Sequence, residues 1–169
     1  MSIEYLSNVG NRLVKRCDTR NPFEIAENLG IKIMMVDDFK RLKGLYRIIK
    51  RNRWIFLNSN LDTRTQEIVC AHELGHDQLH RSLAKGDGLM EFMLYDMRSR
   101  PEYEANIVAA EILLPDDDVL ELIYDYGYDV EQIACQLKSD INLVNMKTEI
   151  LRYKGYDLRQ GEFRSNFLK

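Results

Sequence analysis

Apolar positions along the chain follow a helical period, then a short extended one, then a helical one again. At the start, Ile3, Leu6, Val9, Leu13 and Val14 recur at helical spacing and predict a helix over about 3–17. A second short helix is expected over Pro22 to Asn28. Asn21 is its cap, Pro22 suits its first turn, and Gly30 follows its end. The runs Ile31 to Val36, Leu45 to Ile49 and Trp54 to Asn58 are rich in branched and aromatic residues and are separated by polar turns. They read as three strands of a small sheet, with a hairpin turning at Lys50 to Arg53 and Trp54–Asn58 as an edge strand.

From Asp62 the helical period returns. One helix is expected from a cap at Asp62 or Thr63 to about Leu83, with Gly86 and Gly88 in a loop beyond it. The next runs from about Pro101 to Leu114, where Pro115 stops it because proline cannot continue a helix. Asp116, Asp117 and Asp118 then cap a helix to about Tyr126. Two more follow near Val130 to Lys138 and Ile141 to Tyr153, ahead of a polar tail after Gly155.

Composition narrows the class. A chain of 169 residues with 45% hydrophobic and 30% charged positions suits one soluble domain, or one with a small appended module, and is unlike a disordered chain. No stretch approaches the roughly 20 apolar residues that span a bilayer, and Met1 to Asp18 lacks the apolar run of a signal peptide. Cys17, Cys70 and Cys135 are odd in number and far apart, with no C-x-x-C spacing, so a reducing, cytoplasmic setting is expected. Charge is uneven. Asp37 to Arg53 carries a net +5, and Asp96 to Glu131 a net −9. Two solvated faces are the plainer account, and a bipolar surface that orients a charged protein partner is the sharper one.

Histidine changes the picture most. The chain has three, His72, His76 and His80, all within nine residues. His72-Glu73-Leu74-Gly75-His76 is an H-E-x-x-H motif on a predicted helix. Residues at i and i+4 project from one face on successive turns, so both imidazoles reach one ion about 2 Å away. Glu73 flanks that ion without ligating it and is placed to take a proton from a water that the metal acidifies. His80 is eight residues from His72, about 12 Å of rise along a continuous helix, too far to share the ion. A place behind the ligands or on the surface is expected for it. With no other histidine available, the third protein ligand should be a carboxylate, with cysteine as the lesser option. Glu102 is favoured, because Asn106 shares its face one turn on and could hydrogen-bond a ligand histidine; Glu104 comes next. Tyr95, Tyr103 and Arg98 are candidates for an additional electrophile.

These residues resemble a known family. Asn58-Ser59-Asn60-Leu61, then Ile68 to His76, then the helix from Glu102 to Pro115 with its Glu-Ala-Asn core and Leu-Leu-Pro ending, are similar to the ImmA/IrrE metallopeptidases. The likeness covers about Asn21 to Tyr153 and is strongest from Trp54 to Pro115; Val108 stands where an aromatic residue is common. It implies an α+β, zincin-like fold: a small, mostly antiparallel sheet packed on the H-E-x-x-H helix, with a helical C-terminal part. It implies one zinc ion held by His72, His76 and Glu102, with Glu73 as general base. It also implies a protein substrate, a helix-turn-helix repressor whose cleavage switches on mobile-element or stress genes. On this reading residues 1–126 form the metallopeptidase domain, and 127–169 a helix-turn-helix-like extension and tail. The rival is a DNA-binding or repressor-binding regulator with a structural or vestigial zinc site. Lys138 to Lys169 carries a net charge of only +3, weak for a specific DNA binder, so direct DNA binding is not expected.

Overall fold

The computed structural model describes residues 1–82, 89–91 and 99–158. Its elements, in chain order, are α1 (Ile3–Cys17), α2 (Pro22–Asn28), β1 (Lys32–Val36), β2 (Gly44–Ile49), β3 (Asn52–Asn58) and α3 (Thr63–Leu79). They continue with β4 (Leu89–Glu91), α4 (Arg100–Leu113), α5 (Asp116–Tyr124), α6 (Val130–Gln136) and α7 (Ile141–Tyr153). The fold is α+β. The helix ends follow their capping chemistry: Asn21 Oδ1 accepts from Phe23 N at 2.9 Å, and Asp62 Oδ1 accepts from Thr65 N at 3.0 Å.

The four strands run in the order β1-β3-β2-β4, with β1 parallel to β3 and the other two pairings antiparallel. Trp54–Asn58 is therefore not an edge. The β2–β3 hairpin uses one side of β3, and β1 pairs with the other from Lys32↔Trp54 to Val36↔Asn58. The hairpin turns through Lys50 and Arg51, both at positive φ (47° and 66°), the conformation a tight two-residue hairpin demands. Ile55 and Leu57 point from β3, and Tyr46 from β2, into the core, and all three are fully buried.

Helix α3 covers that face, and α4 packs against α3. Their contact is close because residue 75 is glycine: a Cβ there would lie 2.8 Å from both Cα and O of Ala105. Helices α1 and α7 then pack on α4. One hydrophobic cluster runs through the whole assembly, from Leu6 and Ile25 through Leu74 and Ile107 to Ile133, Leu143 and Leu151. Helices α6 and α7, expected as part of an extension, contribute to this same core.

Two further features differ from the sequence reading. Helix α3 stops at Leu79, four residues early, because His80 leaves the helical region (φ −127°, ψ 27°) while its N–H still bonds His76 O at 2.8 Å. Lys147, one of the basic residues in the net charge of Lys138 to Lys169, is fully buried. Its Nζ bonds Glu111 Oε2 at 2.7 Å and also pairs with Asp116. This cation is enclosed and cannot reach a phosphate backbone. No helix among the described residues is long and apolar enough to cross a membrane.

Candidate metal centre

Two helices build the site. Helix α3 presents His72 and His76 from successive turns, both essentially without solvent contact. Their rings stand edge to face, 83° apart, with Nε2 atoms 3.0 Å from each other. Helix α4 starts at a Ser99 cap with Pro101 in its first turn and carries Glu102 across the Gly75–Ala105 contact. Glu102 Oε2 lies 3.0 Å from His72 Nε2 and 3.4 Å from His76 Nε2.

Three donor atoms 3.0–3.4 Å apart have the dimensions of a coordination site. Ligands about 2.0–2.1 Å from a tetrahedral zinc ion are separated by about 3.3 Å along each edge. Among the described residues, His72, His76 and Glu102 are the group of potential ligands drawn this close.

The far sides of the two rings decide which nitrogen carries the proton. Asn106, one turn after Glu102, places Oδ1 2.7 Å from His72 Nδ1. An amide oxygen only accepts, so the His72 proton sits on Nδ1 and Nε2 is left with its lone pair. His76 Nδ1 lies 3.0 Å from Nδ1 of His80, and His80 Nε2 lies 3.1 Å from Glu104 Oε2. Burial pushes the His76 imidazole down from 6.5 to about 4, so it is neutral at physiological pH. Burial alone would raise the Glu102 carboxyl. The two imidazoles beside it outweigh that effect and hold it well below the usual carboxylate range. Two imidazoles and one carboxylate thus face a common point, a donor set that suits a divalent cation.

Glu73 follows His72 on α3 and is fully buried. Its carboxylate lies against β2 at Gly44, where a Cβ would come within 2.8 Å of Oε1 and closer still to Val69 Cγ1. The strand can pass over the carboxylate only because residue 44 lacks a side chain.

The other carboxylates are committed elsewhere. Glu104 is buried on another flank of α4, bonded to His80 and, through Oε1, to Arg100 Nε at 2.9 Å. Glu111 is held by Ser7, Lys147 and Lys154. No cysteine belongs to the ligand group. Of the candidate electrophiles, Tyr103 packs partly against the core, while Tyr95 and Arg98 lie outside the described residues.

Several supporting residues escaped the sequence reading. Gly44 and Gly75 act by what they lack, and a glycine in a periodic run carries no partner in its signal. Asp77, next to His76, is fully buried and bonded by Tyr46 Oη at 2.7 Å, Arg53 at 2.9 Å and Arg81 at 3.0 Å. It ties the end of α3 to β2 and β3. Its place directly after the second histidine of the motif was the available cue, since charged residues are seldom fully buried unless paired.

Residues 26–149 match the model of the IrrE N-terminal-like domain, a peptidase family. The chain is 40% identical over 105 residues to "Uncharacterized immunity region protein 2" of Bacillus phage phi105, covering 62% of this chain and 65% of that protein, just under two thirds of its length. It is 29% identical over 127 residues to "Metallopeptidase ImmA" of Bacillus subtilis (strain 168), covering 72% and 71% respectively. With the family match running from α2 to α7 and enclosing both helices of the site, the chain belongs to the ImmA/IrrE metallopeptidase family.

Proposed function

We propose that this chain is a zinc-dependent endopeptidase that cleaves a helix-turn-helix transcriptional repressor and thereby releases mobile-element or stress genes, acting in the cytoplasm. The observation that carries the reading is the convergence of His72 Nε2, His76 Nε2 and Glu102 Oε2 beside Glu73. A zinc ion held by these three would lower the pKa of a water to about 7 and polarise a substrate carbonyl.

The protein's own residues do the rest. Burial keeps His76 neutral, and hydrogen bonds at Nδ1 turn the Nε2 atoms of His72 and His76 toward one point. Glu102 supplies the one negative charge of the ligand set. Glu73 takes the proton from the attacking water and gives it to the departing amine nitrogen as the peptide C–N bond breaks, so it ends the cycle ionised as it began. Asn106 stops His72 from turning its protonated nitrogen inward.

The choice of substrate draws on the relatives: one is named for a phage immunity region and the other as a metallopeptidase. The α6–α7 pair offers little to the rival DNA-binding reading, because its Lys147 is spent inside the protein. The test is direct. A helix-turn-helix repressor, taken first from any reading frame that adjoins the gene of this chain, is incubated with the purified protein and zinc, and its fragments are identified by mass spectrometry. Glu73→Gln should keep zinc and lose cleavage. Cleavage by Glu73→Gln removes the proposed base, and a wild-type chain that binds no zinc removes the enzyme.

A further inference from the structure

We infer that His80 is a positioning residue for metal binding: it fixes the ring of His76 through a hydrogen-bonded chain that ends at Glu104. The inference rests on the metal-site reading above and adds to it a residue outside the ligand set.

The two ligand histidines face the same problem. Each must present a bare Nε2, and each has a second nitrogen that could carry or lack the proton. His72 solves it in one step through Asn106 of α4. His76 sits on the last turn of α3, and its Nδ1 meets the ring of His80 instead, with centroids 5.2 Å apart and planes tilted by 56°. His80 can be there because α3 ends at Leu79. Its backbone leaves the helix while the ring turns inward, and only 6% of the residue is exposed.

The chain has one direction. The Glu104 carboxylate only accepts, so His80 donates from Nε2. With Nε2 donating to Glu104 and Nδ1 facing the His76 ring, His80 accepts at Nδ1 and His76 donates from its own Nδ1, the arrangement that a metal at His76 Nε2 requires. The lone pair of His76 Nε2 is left facing His72 and Glu102. Glu104 is itself buried, and Arg100, one turn earlier on α4, holds its other oxygen. Helix α4 therefore anchors both ligand rings, one directly and one through His80. This also explains why Glu104, two residues from Glu102, is buried although it takes no part in the ligand group.

A ring that merely fills space behind His76 would be replaceable by another ring. The experiment compares His80→Phe, which keeps the ring and removes the acceptor, with His80→Asn, which returns an acceptor near the Nδ1 position. Zinc affinity is measured on the purified full chain by competition with a chromophoric chelator, and cobalt spectra report the geometry of the site. His80→Phe should bind zinc about 10–100-fold more weakly with an altered cobalt spectrum, as loss of a ligand's supporting hydrogen bond does elsewhere. His80→Asn should recover most of the affinity. Adding Glu104→Leu to His80→Phe should cost little more, because the chain is already broken.

Wild-type affinity in His80→Phe, or equal losses in His80→Phe and His80→Asn, overturns the inference while leaving the metal site intact. A wild-type chain that binds neither zinc nor cobalt overturns the site and this inference together. Circular dichroism of the metal-free variants identifies any that fail to fold, and His80→Gln then replaces His80→Phe as the variant with no acceptor at the Nδ1 position.

Discussion

Adding one methyl group at Gly75 should both loosen the fold and weaken metal binding. A Cβ at this position would lie 2.8 Å from Cα and O of Ala105 and 3.1 Å from its Cβ. Ordinary contacts between such atoms are about 3.5–4.0 Å, so α3 and α4 must part by roughly 0.5–1 Å. The atoms met are mostly backbone and cannot rotate away. Overpacking of this kind costs about 1–3 kcal/mol, and the better helix propensity of alanine returns about 1 kcal/mol. A net loss of about 0–2 kcal/mol, or up to about 8 °C in Tm at this chain length, is expected for the metal-free protein. The metal site should suffer more. Glu102 lies three residues before Ala105 on α4, whereas His72 and His76 ride on α3, so the separation acts directly on the 3.0 and 3.4 Å donor spacings. Metal sites tolerate about 0.2 Å, so zinc affinity should fall by at least tenfold. Calorimetry of the metal-free protein and chelator competition measure the two effects separately. A Gly75→Ala protein as stable as the parent that also binds zinc equally well would refute the argument from close helix approach.

Gly44→Ala makes a complementary prediction. Its methyl group would meet Glu73 Oε1 and Val69 rather than a ligand, so repressor cleavage should fall at least tenfold while zinc affinity stays within about threefold; equal losses in both would count against it. At the β2–β3 turn, Lys50→Asn with Arg51→Gly should stabilise the protein by about 1–2 kcal/mol in urea unfolding, since both positions hold positive φ, and a destabilised double variant would show that the wild-type side chains matter there.

The local features of this fold were legible and the non-local ones were not. Caps at Asn21 and Asp62, the Pro115 stop and the i, i+4 spacing of His72 and His76 are written within one or two turns of chain. The same holds for Glu102 and Asn106, which share a face of α4. The parallel pairing of β1 with β3 joins segments some 20 residues apart, and the strand sequences do not say which side of β3 is filled. Strand β4 has three residues and presents too short a period to detect. The end of α3 leaves no mark in the sequence, because nothing in Leu79-His80-Arg81 breaks a helix. The inward turn of His80 depends on Glu104, a residue of another helix. The burial of Lys147 was hidden for a like reason: its partners, Glu111 and Asp116, lie in α4 and α5.

That buried cluster gives the protein an acid limit distinct from its metal site. Glu111 and Lys147 have no solvent exposure, and Glu111 also accepts from Ser7 Oγ at 2.6 Å and Lys154 Nζ at 2.8 Å. Burial works against the charged carboxylates, but the two lysines outweigh it and hold Glu111 and Asp116 below their ordinary values of 4.5 and 3.8. Lys154 is raised above 10.5, where hydrogen bonds to Asp116 and Glu111 overcome its burial. The unfolded chain therefore takes up protons before the folded one does as pH falls through about 4.5. The carboxylates' contribution is complete above that value and is lost as pH drops through their lower folded values. The contribution of Lys154 is complete below 10.5 and is lost only as pH rises through its raised folded value. His76 adds a separate acid slope. Its folded value of about 4 lies below 6.5, so stability declines from about 6.5 downward as the unfolded chain protonates first. Glu111→Gln separates the two, because His76 is present in both proteins and cancels in the difference. Urea unfolding of the metal-free proteins should show Glu111→Gln less stable by about 3–5 kcal/mol at pH 7, the cost of leaving a buried lysine without the fully buried one of its two carboxylate partners. The gap should stay level down to about pH 5 and then close as Glu111 of the parent becomes protonated in its turn. A gap that stays constant to pH 3 would mean that Glu111 acts through shape and hydrogen bonding rather than through its charge.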